Sequence, residues 1–445
     1  MMRSSVIILT WNGREYIPAC LDAILAQISP DDEAIVVDNN SADDSAPLVR
    51  ERYPQVHLIE NKHNLGFAGG CNAGLRTARG EYMILANQDV VVQGGWLEAM
   101  LKALTPDEVG IVGCKLLYPD GTIQHAGGGI SYPLAHSSHY GSHEPDRGQW
   151  DTQREVEYVT GALLGLKRTL LDKIGLFDEG FSPAYYEEVD LCFRARAGGY
   201  KVLYTPDSVG IHHETTTVKQ GGIDQCRWGG RGRLRFVLKH YTAHQFYNDF
   251  IPAERVWLAS LTVPAMRAGL WLAYLDILLG LQDIPRTGVL AEHGNEEAVA
   301  EALTNLHDIL CASPEKSSES EEAALASGLL AELPWSIRER PFVSKVPIIG
   351  SAIVRFRELW NSVAAKWYVR SLIEQQNEFN RRLVLKTAWI QENLAAIQRV
   401  MGRLDREMVK AYRLQVEMSR DLQAEVDCLR AQVQALEETL SALSE

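Results

Sequence analysis

The chain has 445 residues, 46% hydrophobic and 23% charged, an ordinary globular balance with material for two or three domains. A formal net charge of −14 offers no basic field for the phosphates of DNA or RNA, so no nucleic-acid partner is expected. Seven cysteines, none in a Cys-x-x-Cys pair, suggest neither a disulfide framework nor a zinc site and read as reduced, cytosolic thiols.

The first apolar run is too short for the core of a signal peptide, because it ends at Thr10. Short β-rich runs that close on polar residues are predicted at 5–9, 34–38, 57–59 and 82–86, with an amphipathic helix over 15–27. This alternation predicts an α/β fold with a mostly parallel sheet and helices on its faces.

From Arg231 to about Cys311 the pattern is helical. Its most apolar stretch, 256–281, is interrupted by Pro264, Arg267 and Asp276, whereas a membrane span needs about 20 apolar residues. A buried helix pair is the expectation. Residues 312–328, rich in Ser and Glu, read as an acidic linker.

Beyond it, Ile349, Ile353, Phe356, Trp360, Val363 and Trp367 recur at helical spacing beside Lys345, Arg355, Arg357, Lys366 and Arg370. Such a helix lies in a membrane interface or packs on the body or a partner chain; membrane contact is the expectation. From Ile390 to Leu443 apolar residues recur at steps of four and three, with one stutter around Leu422. That pattern predicts a coiled coil joining the chain to a copy of itself, the alternative being a helix folded back on the body. The resulting divisions are 1–240, an α/β domain; 241–311, a helical extension; 312–340, the linker; 341–373, the amphipathic helix; and 374–445, the coiled coil.

Ligands of a parallel α/β sheet bind beyond the carboxyl ends of its strands. The first run ends in Thr10-Trp11-Asn12, the second in Asp38-Asn39-Asn40-Ser41 and the fourth in Asn87-Gln88-Asp89. A carboxylate after the second suits a nucleoside base or ribose. One after the fourth suits a divalent metal, magnesium or manganese, bridging a diphosphate. Between them, Asn64-Leu65-Gly66 and Gly69-Gly70-Cys71-Asn72 open a helix, either as a tight turn or as a place where backbone approaches an anion. No Gly-x-Gly-x-x-Gly follows the first strand, so a dinucleotide is not indicated.

Glu187, Glu188 and Asp190 crowd three carboxylates into four residues. That crowding is expensive unless offset by a metal, an arginine or solvent, though acids in a first helical turn are also good macrodipole partners. His212 and His213 further on are metal ligands or surface residues. The basic run Arg227, Arg231, Arg233 and Arg235 meets a diphosphate, an anionic lipid or the protein's own acids. His136, His139 and His143 read as incidental to a mobile loop.

Five blocks in order carry a resemblance: SVIILTWN, AIVVDNNSADDS, NKHNLGFAGGCNAGLRTARGEYMILANQDVVV, GALLGLKRTLLDKIGLFDEGF and YYEEVDLCFRARAGGYKVLYTPDSVGIHH. Together, the first 240 residues resemble family 2 glycosyltransferases of the GT-A fold, a Rossmann-like architecture. They look most like a bacterial branch with rhamnosyltransferases and galactofuranosyltransferases of cell-envelope polysaccharide assembly.

The resemblance implies a nucleotide-sugar donor held by Thr10, Asn12 and Asp38, with Asn40, Asn64, Gly66, Asn72 and Asn87 also on the donor side. It makes Asp89 the metal-binding acid. Asn87-Gln88-Asp89 keeps only one carboxylate of the family's usual motif, which turns attention to His212 or His213 as further ligands. Glu188 matches the acid that deprotonates the acceptor, with Asp190 in reserve and Glu187 in support. The implied reaction is an inverting, metal-dependent transfer of a sugar, a deoxyhexose such as rhamnose being the family-level expectation, to a glycolipid or polysaccharide on the cytoplasmic face of the membrane.

Gln124-His125-Ala126-Gly127 recurs in that branch without a role legible from this chain. Two rival readings stand beside the enzyme: a non-catalytic GT-A-like scaffold that organises an assembly complex through the coiled coil, and a nucleotidyltransferase. The second should carry a basic phosphate loop after the first strand, and Thr10 to Tyr16 is a poor match.

Overall fold

The computed structural model describes residues 2–214, 222–291 and 295–311; the linker, amphipathic helix and coiled coil expected beyond 311 lie outside the described residues. The sheet starts from β1 (Ser4–Thr10), whose β-branched run is buried almost throughout. It lies parallel between β2 (Asp32–Asp38) and β4 (Tyr82–Asn87), and β3 (His57–Glu60) continues the parallel half beside β2. Register pairs Thr10 with Asp38 and Leu9 with Asn87, so the polar ends of three strands share one edge.

The other half corrects the expectation of a mostly parallel sheet. β5 (Val90–Val92) lies antiparallel to the end of β12 (Lys201–His212), β12 lies parallel to β6 (Val109–Leu117), and β11 (Leu163–Lys167) runs antiparallel between β6 and β4. After β6 the chain passes through β7 (Ile123–His125), the β8–β9 hairpin (Gly128–Ile130, Ser137–His139) and β10 (Arg154–Glu155). It therefore re-enters the sheet from the ligand edge, and β11 must run against β4. The sheet is mixed, in the order β10-β12-β6-β11-β4-β1-β2-β3.

Alternate residues face two cores, as a period of two requires. Ile7, Ile35, Val37 and Leu85 face α3 (Gly66–Thr77), while Val6, Ile8, Val36 and Ile84 face α1 (Ile17–Leu25) and α4 (Trp96–Leu104). The helix α2 (Ser45–Arg52) follows β2, α5 (Arg168–Ile174) follows β11, and α6 (Glu187–Ala197) precedes β12. α3 lies close on β1 because Gly74 has no side chain: a Cβ there would come within 2.3 Å of Ile7 Cγ2.

A helical layer follows: α7 (Ile223–His240), the turn α8 (Ala243–Gln245), a π-helical turn at Phe246–Phe250, α9 (Ile251–Ser260), α10 (Pro264–Leu279) and α11 (Asn295–Cys311). The apolar stretch 256–281 is thus divided between α9 and α10, the second opened by Pro264 at its first turn. Among the described residues no helix is long and apolar enough to cross a membrane.

Candidate active site

Asp38 ends β2 with a carboxylate almost wholly buried. Its Oδ2 accepts the Ser41 N–H at 3.0 Å, and its Oδ1 is buried with no partner. A buried acceptor left unpaired costs about 1–3 kcal/mol, which marks this oxygen as one that awaits a ligand's donor.

Its neighbours are otherwise engaged. The Thr10 hydroxyl donates to Gln88 Oε1 at 2.6 Å, and the Trp11 N–H donates to the same oxygen at 2.9 Å. Gln88 therefore clamps the end of β1, reaching it over Gly13, and Thr10 has no free hydrogen for a nucleoside. Asn12, at φ 50°, accepts the Ala42 N–H and so holds the loop after β2, while Asn40, at φ 65°, is exposed at the mouth.

The opening of α3 is a tight turn and not an anion cradle. Leu65 N–H donates to Asn39 Oδ1, Gly66 N–H to Asn64 Oδ1 and Phe67 N–H to Pro183 O, so the first amides are already bonded. Gly66 has φ +72°, and a Cβ there would strike Ser182 Oγ at 2.6 Å. Asn72 is buried inside the fold, donating to Phe177 O and Glu179 Oε1. Asn64 and Asn72 thus serve the scaffold, whereas Asn87 sits on the edge with its N–H bonded to Ala162 O.

Asp89 follows β4, and β5 brings it to the end of β12. His212 Nε2 lies 3.2 Å from Asp89 Oδ1, and both side chains are largely buried. His212 Nδ1 meets Gln124 Oε1 at 2.7 Å, and Gln124 Nε2 donates to Glu214 Oε2 at 3.3 Å. His213 departs from its expected role: its N–H bonds Asp89 O, but its ring is turned toward Tyr16. Among the described residues no group of three His, Cys, Asp or Glu side chains gathers for a metal. A carboxylate oxygen and an imidazole nitrogen this close are a donor pair of the kind that could hold a divalent cation.

The acids of α6 divide sharply. Glu188, half-buried near Gly161 and Phe67, has its carboxyl pushed up to about 7 by burial, partly offset by its own and the Val189 backbone N–H. Glu187 is buried with Oε2 unpartnered, and burial, then the adjacent Glu188, hold its carboxyl well above the ordinary range. Asp190 faces the other way. Its carboxylate meets Arg194 Nε at 2.8 Å, Lys239 Nζ at 2.6 Å and His240 Nε2 at 2.9 Å. Its carboxyl is lowered by those partners against the cost of burial, so it joins α6 to α7 and is no reserve base.

Tyr185 and Tyr186 enter α6 at φ 81° and 75°, a left-handed conformation costing roughly 1–3 kcal/mol per residue. The Tyr186 hydroxyl donates to Ala135 O at 2.7 Å and accepts the Ser137 N–H. Gly232 of α7 lies so close that a Cβ would approach Tyr185 O to 2.4 Å. The Glu187–Glu188 pair is therefore braced from the β8–β9 hairpin and from α7.

The basic run of α7 turns inward. Arg227 pairs with Asp276, Arg233 with Glu254 and Arg235 with Asp178, while Arg231 donates to Ser182 O and Gly180 O. Of the openings left by the sequence, the protein's own acids and carbonyls are the partners. Sequence reasoning missed Gln88, Asn39 and the part played by Gln124; the first two were signalled only by proximity to predicted strand ends, and Gln124 only by the recurring Gln124-His125-Ala126-Gly127 block.

Residues 5–175 match the profile of glycosyl transferase family 2. That segment runs from β1 through α5 and carries the parallel half of the Rossmann-like sheet together with β6 and β11. The chain is 29% identical over 266 residues to an uncharacterized protein of Sinorhizobium fredii, covering 56% of this chain and 29% of that one. It is 29% identical over 244 residues to O-antigen biosynthesis protein RfbC of Myxococcus xanthus, covering 50% and 18% respectively. A third relative is the N-acetylglucosaminyl-diphospho-decaprenol L-rhamnosyltransferase of Mycobacterium tuberculosis, 28% identical over 222 residues, 44% of this chain and 72% of that one. The matched region spans less than a third of the first two relatives.

Proposed function

We propose that the chain is an inverting glycosyltransferase that moves a sugar from a nucleotide-sugar donor to a hydroxyl of a glycolipid or polysaccharide acceptor. The observation that carries this is Glu188, a site carboxyl at the start of α6 with its proton affinity raised to about 7, which suits a general base at neutral pH. The unpartnered Asp38 Oδ1 at the same sheet edge supports a nucleoside site, and Asp89 with His212 supports a metal site.

The carboxylate and imidazole donors fit manganese or magnesium. Asp89 Oδ1 and His212 Nε2 would hold the cation, which supplies Lewis-acid stabilisation of a departing diphosphate. Glu188 takes the acceptor's O–H proton while that oxygen attacks the anomeric carbon from the face opposite the nucleotide. The bond from the anomeric carbon to the diphosphate breaks, and its electron pair leaves with the nucleotide. General-base catalysis contributes roughly 10²–10⁴-fold. Glu187 lies beside it, its own carboxyl also held well above the ordinary range by burial and then by Glu188.

The names of two relatives, an O-antigen biosynthesis protein and a rhamnosyltransferase acting on a lipid diphosphate, support a cell-envelope acceptor and a deoxyhexose such as rhamnose. Membrane contact through 341–373, on the cytoplasmic face, and self-association through 374–445 complete the proposal, resting on sequence pattern alone.

The deciding experiment is Glu188→Gln with a panel of UDP-, GDP- and dTDP-sugars. Transfer is lost while calorimetry shows donor binding nearly unchanged. Wild-type turnover in that variant would put the base elsewhere.

A further inference from the structure

Gln124, Glu214, His212 and Asp89 form one line of side chains, and the chemistry of each fixes the next. Glu214 as a carboxylate only accepts, so the amide Nε2 of Gln124, 3.3 Å from Glu214 Oε2, must be the donor there. This turns the Gln124 carbonyl toward His212 Nδ1 at 2.7 Å. A carbonyl oxygen also only accepts, so Nδ1 carries the ring proton. In the neutral ring Nε2 is then a bare lone pair, and it lies 3.2 Å from Asp89 Oδ1. Two acceptor atoms facing each other at that distance suit a shared cation.

We propose that Gln124 is a positioning residue: braced by Glu214, it fixes the tautomer of His212 so that Nε2 and the Asp89 carboxylate are presented together to a divalent metal. This rests on the metal reading above and adds to it the residues that act through His212. The arrangement follows from strand register, because both strands involved are hydrogen-bonded to β6. β7 joins it through Leu116–His125, and β12 through Leu117–Ile211. His125, the next residue of β7, is committed elsewhere, its Nε2 accepting the Thr160 N–H, so Gln124 alone of that pair reaches the metal ligands. Partners that orient a ligating histidine in this way are worth about 10–100-fold in metal affinity.

The test uses the full chain and Mn²⁺ alone, with no donor, following free Mn²⁺ by electron paramagnetic resonance. Gln124→Leu is expected to weaken binding by about 10–100-fold. Gln124→Glu, which keeps an acceptor opposite Nδ1, retains more affinity than Gln124→Leu. In metal-free protein labelled with ¹⁵N-histidine, at alkaline pH where imidazole is neutral, the His212 ring shows N–H at Nδ1 and a bare Nε2; Gln124→Leu shows a mixture.

Unchanged Mn²⁺ affinity in Gln124→Leu, alongside loss in His212→Ala, overturns the positioning role and leaves the metal reading intact. Unchanged affinity in His212→Ala sinks the metal reading and this inference with it. Should Gln124→Leu not fold, the wild-type ring decides: a proton on Nε2 overturns the proposal.

Discussion

Glu188 and Asp190 stand two residues apart on one turn of α6, and their surroundings drive their protons in opposite directions. Burial raises the Glu188 carboxyl to about 7, against two backbone hydrogen bonds that lower it. With Glu188 as base, transfer at saturating donor increases about tenfold per unit as pH climbs toward that value, then levels above it. A rate flat between pH 5 and 8 would remove Glu188 from the role. Asp190, lowered in the folded state by His240, Lys239 and Arg194, contributes stability that is fully present above the unfolded carboxyl pKa of about 3.9 and is lost as pH falls below it. Asp190→Asn should cost about 3–5 kcal/mol at neutral pH and flatten the acid limb of urea unfolding midpoints. Asp38 and Asp89 could be proposed from the sequence because each is a carboxylate at the end of an apolar run, and Glu188 because three acids crowd together and the resemblance singles it out. Gln88, Gln124 and the true role of Asp190 could not, since each meets partners far away in sequence. The period of two along β12 separates His212 from His213, but only once the strand is known to run that far.

At the level of elements, the parallel half of the sheet was readable because each strand is an apolar run closed by polar residues. The direction of β11 was not, because a buried run such as Leu163–Lys167 has the same composition whichever way it points. Its reversal brings Thr160, Gly161 and Ala162 to the ligand edge, where Gly161 leaves room for Phe67 and Glu188. The left-handed Tyr185–Tyr186 entry to α6 was equally hidden, since nothing local marks tyrosine for positive φ. Gly232→Ala tests its importance: the added Cβ displaces Tyr185 and with it the Glu187–Glu188 turn. Transfer should fall about 100-fold, as misplacement on the order of 1 Å can cause. The melting curve should register a loss of about 1–3 kcal/mol. Wild-type kinetics would mean that the turn tolerates movement.

For the molecule as a whole, the helical layer is joined to the sheet domain by buried charge. Arg233 of α7 makes two bonds with the Glu254 carboxylate of α9, and Tyr274 of α10 donates to Glu254 Oε1 at 2.7 Å. Arg233 also reaches the β8–β9 connection through Leu134 O at 2.8 Å. Glu254→Ala strands a buried guanidinium and is expected to cost about 3–5 kcal/mol by urea unfolding. Placing the variant in an Arg233→Met background should recover part of that loss. If it does not, the pair is not what joins the two parts. From the sequence the basic run could be seen but not its partners, because Asp178, Glu254 and Asp276 are scattered along the chain and meet α7 only in the fold.

The solitary Asp38 Oδ1 also bears on discrimination between ligands. A nucleoside that brings an N–H or O–H to that oxygen completes its hydrogen bonding. An analogue that brings a methyl group or a second acceptor seals a carboxylate into the complex with nothing to satisfy it. Sites that leave a polar group unmatched reject the wrong partner far more strongly than apolar pockets reject a misfit, by up to roughly 10⁴–10⁵-fold. Donor selection at this edge would then work chiefly by refusal, exerted by one atom on every nucleotide that lacks the right hydrogen.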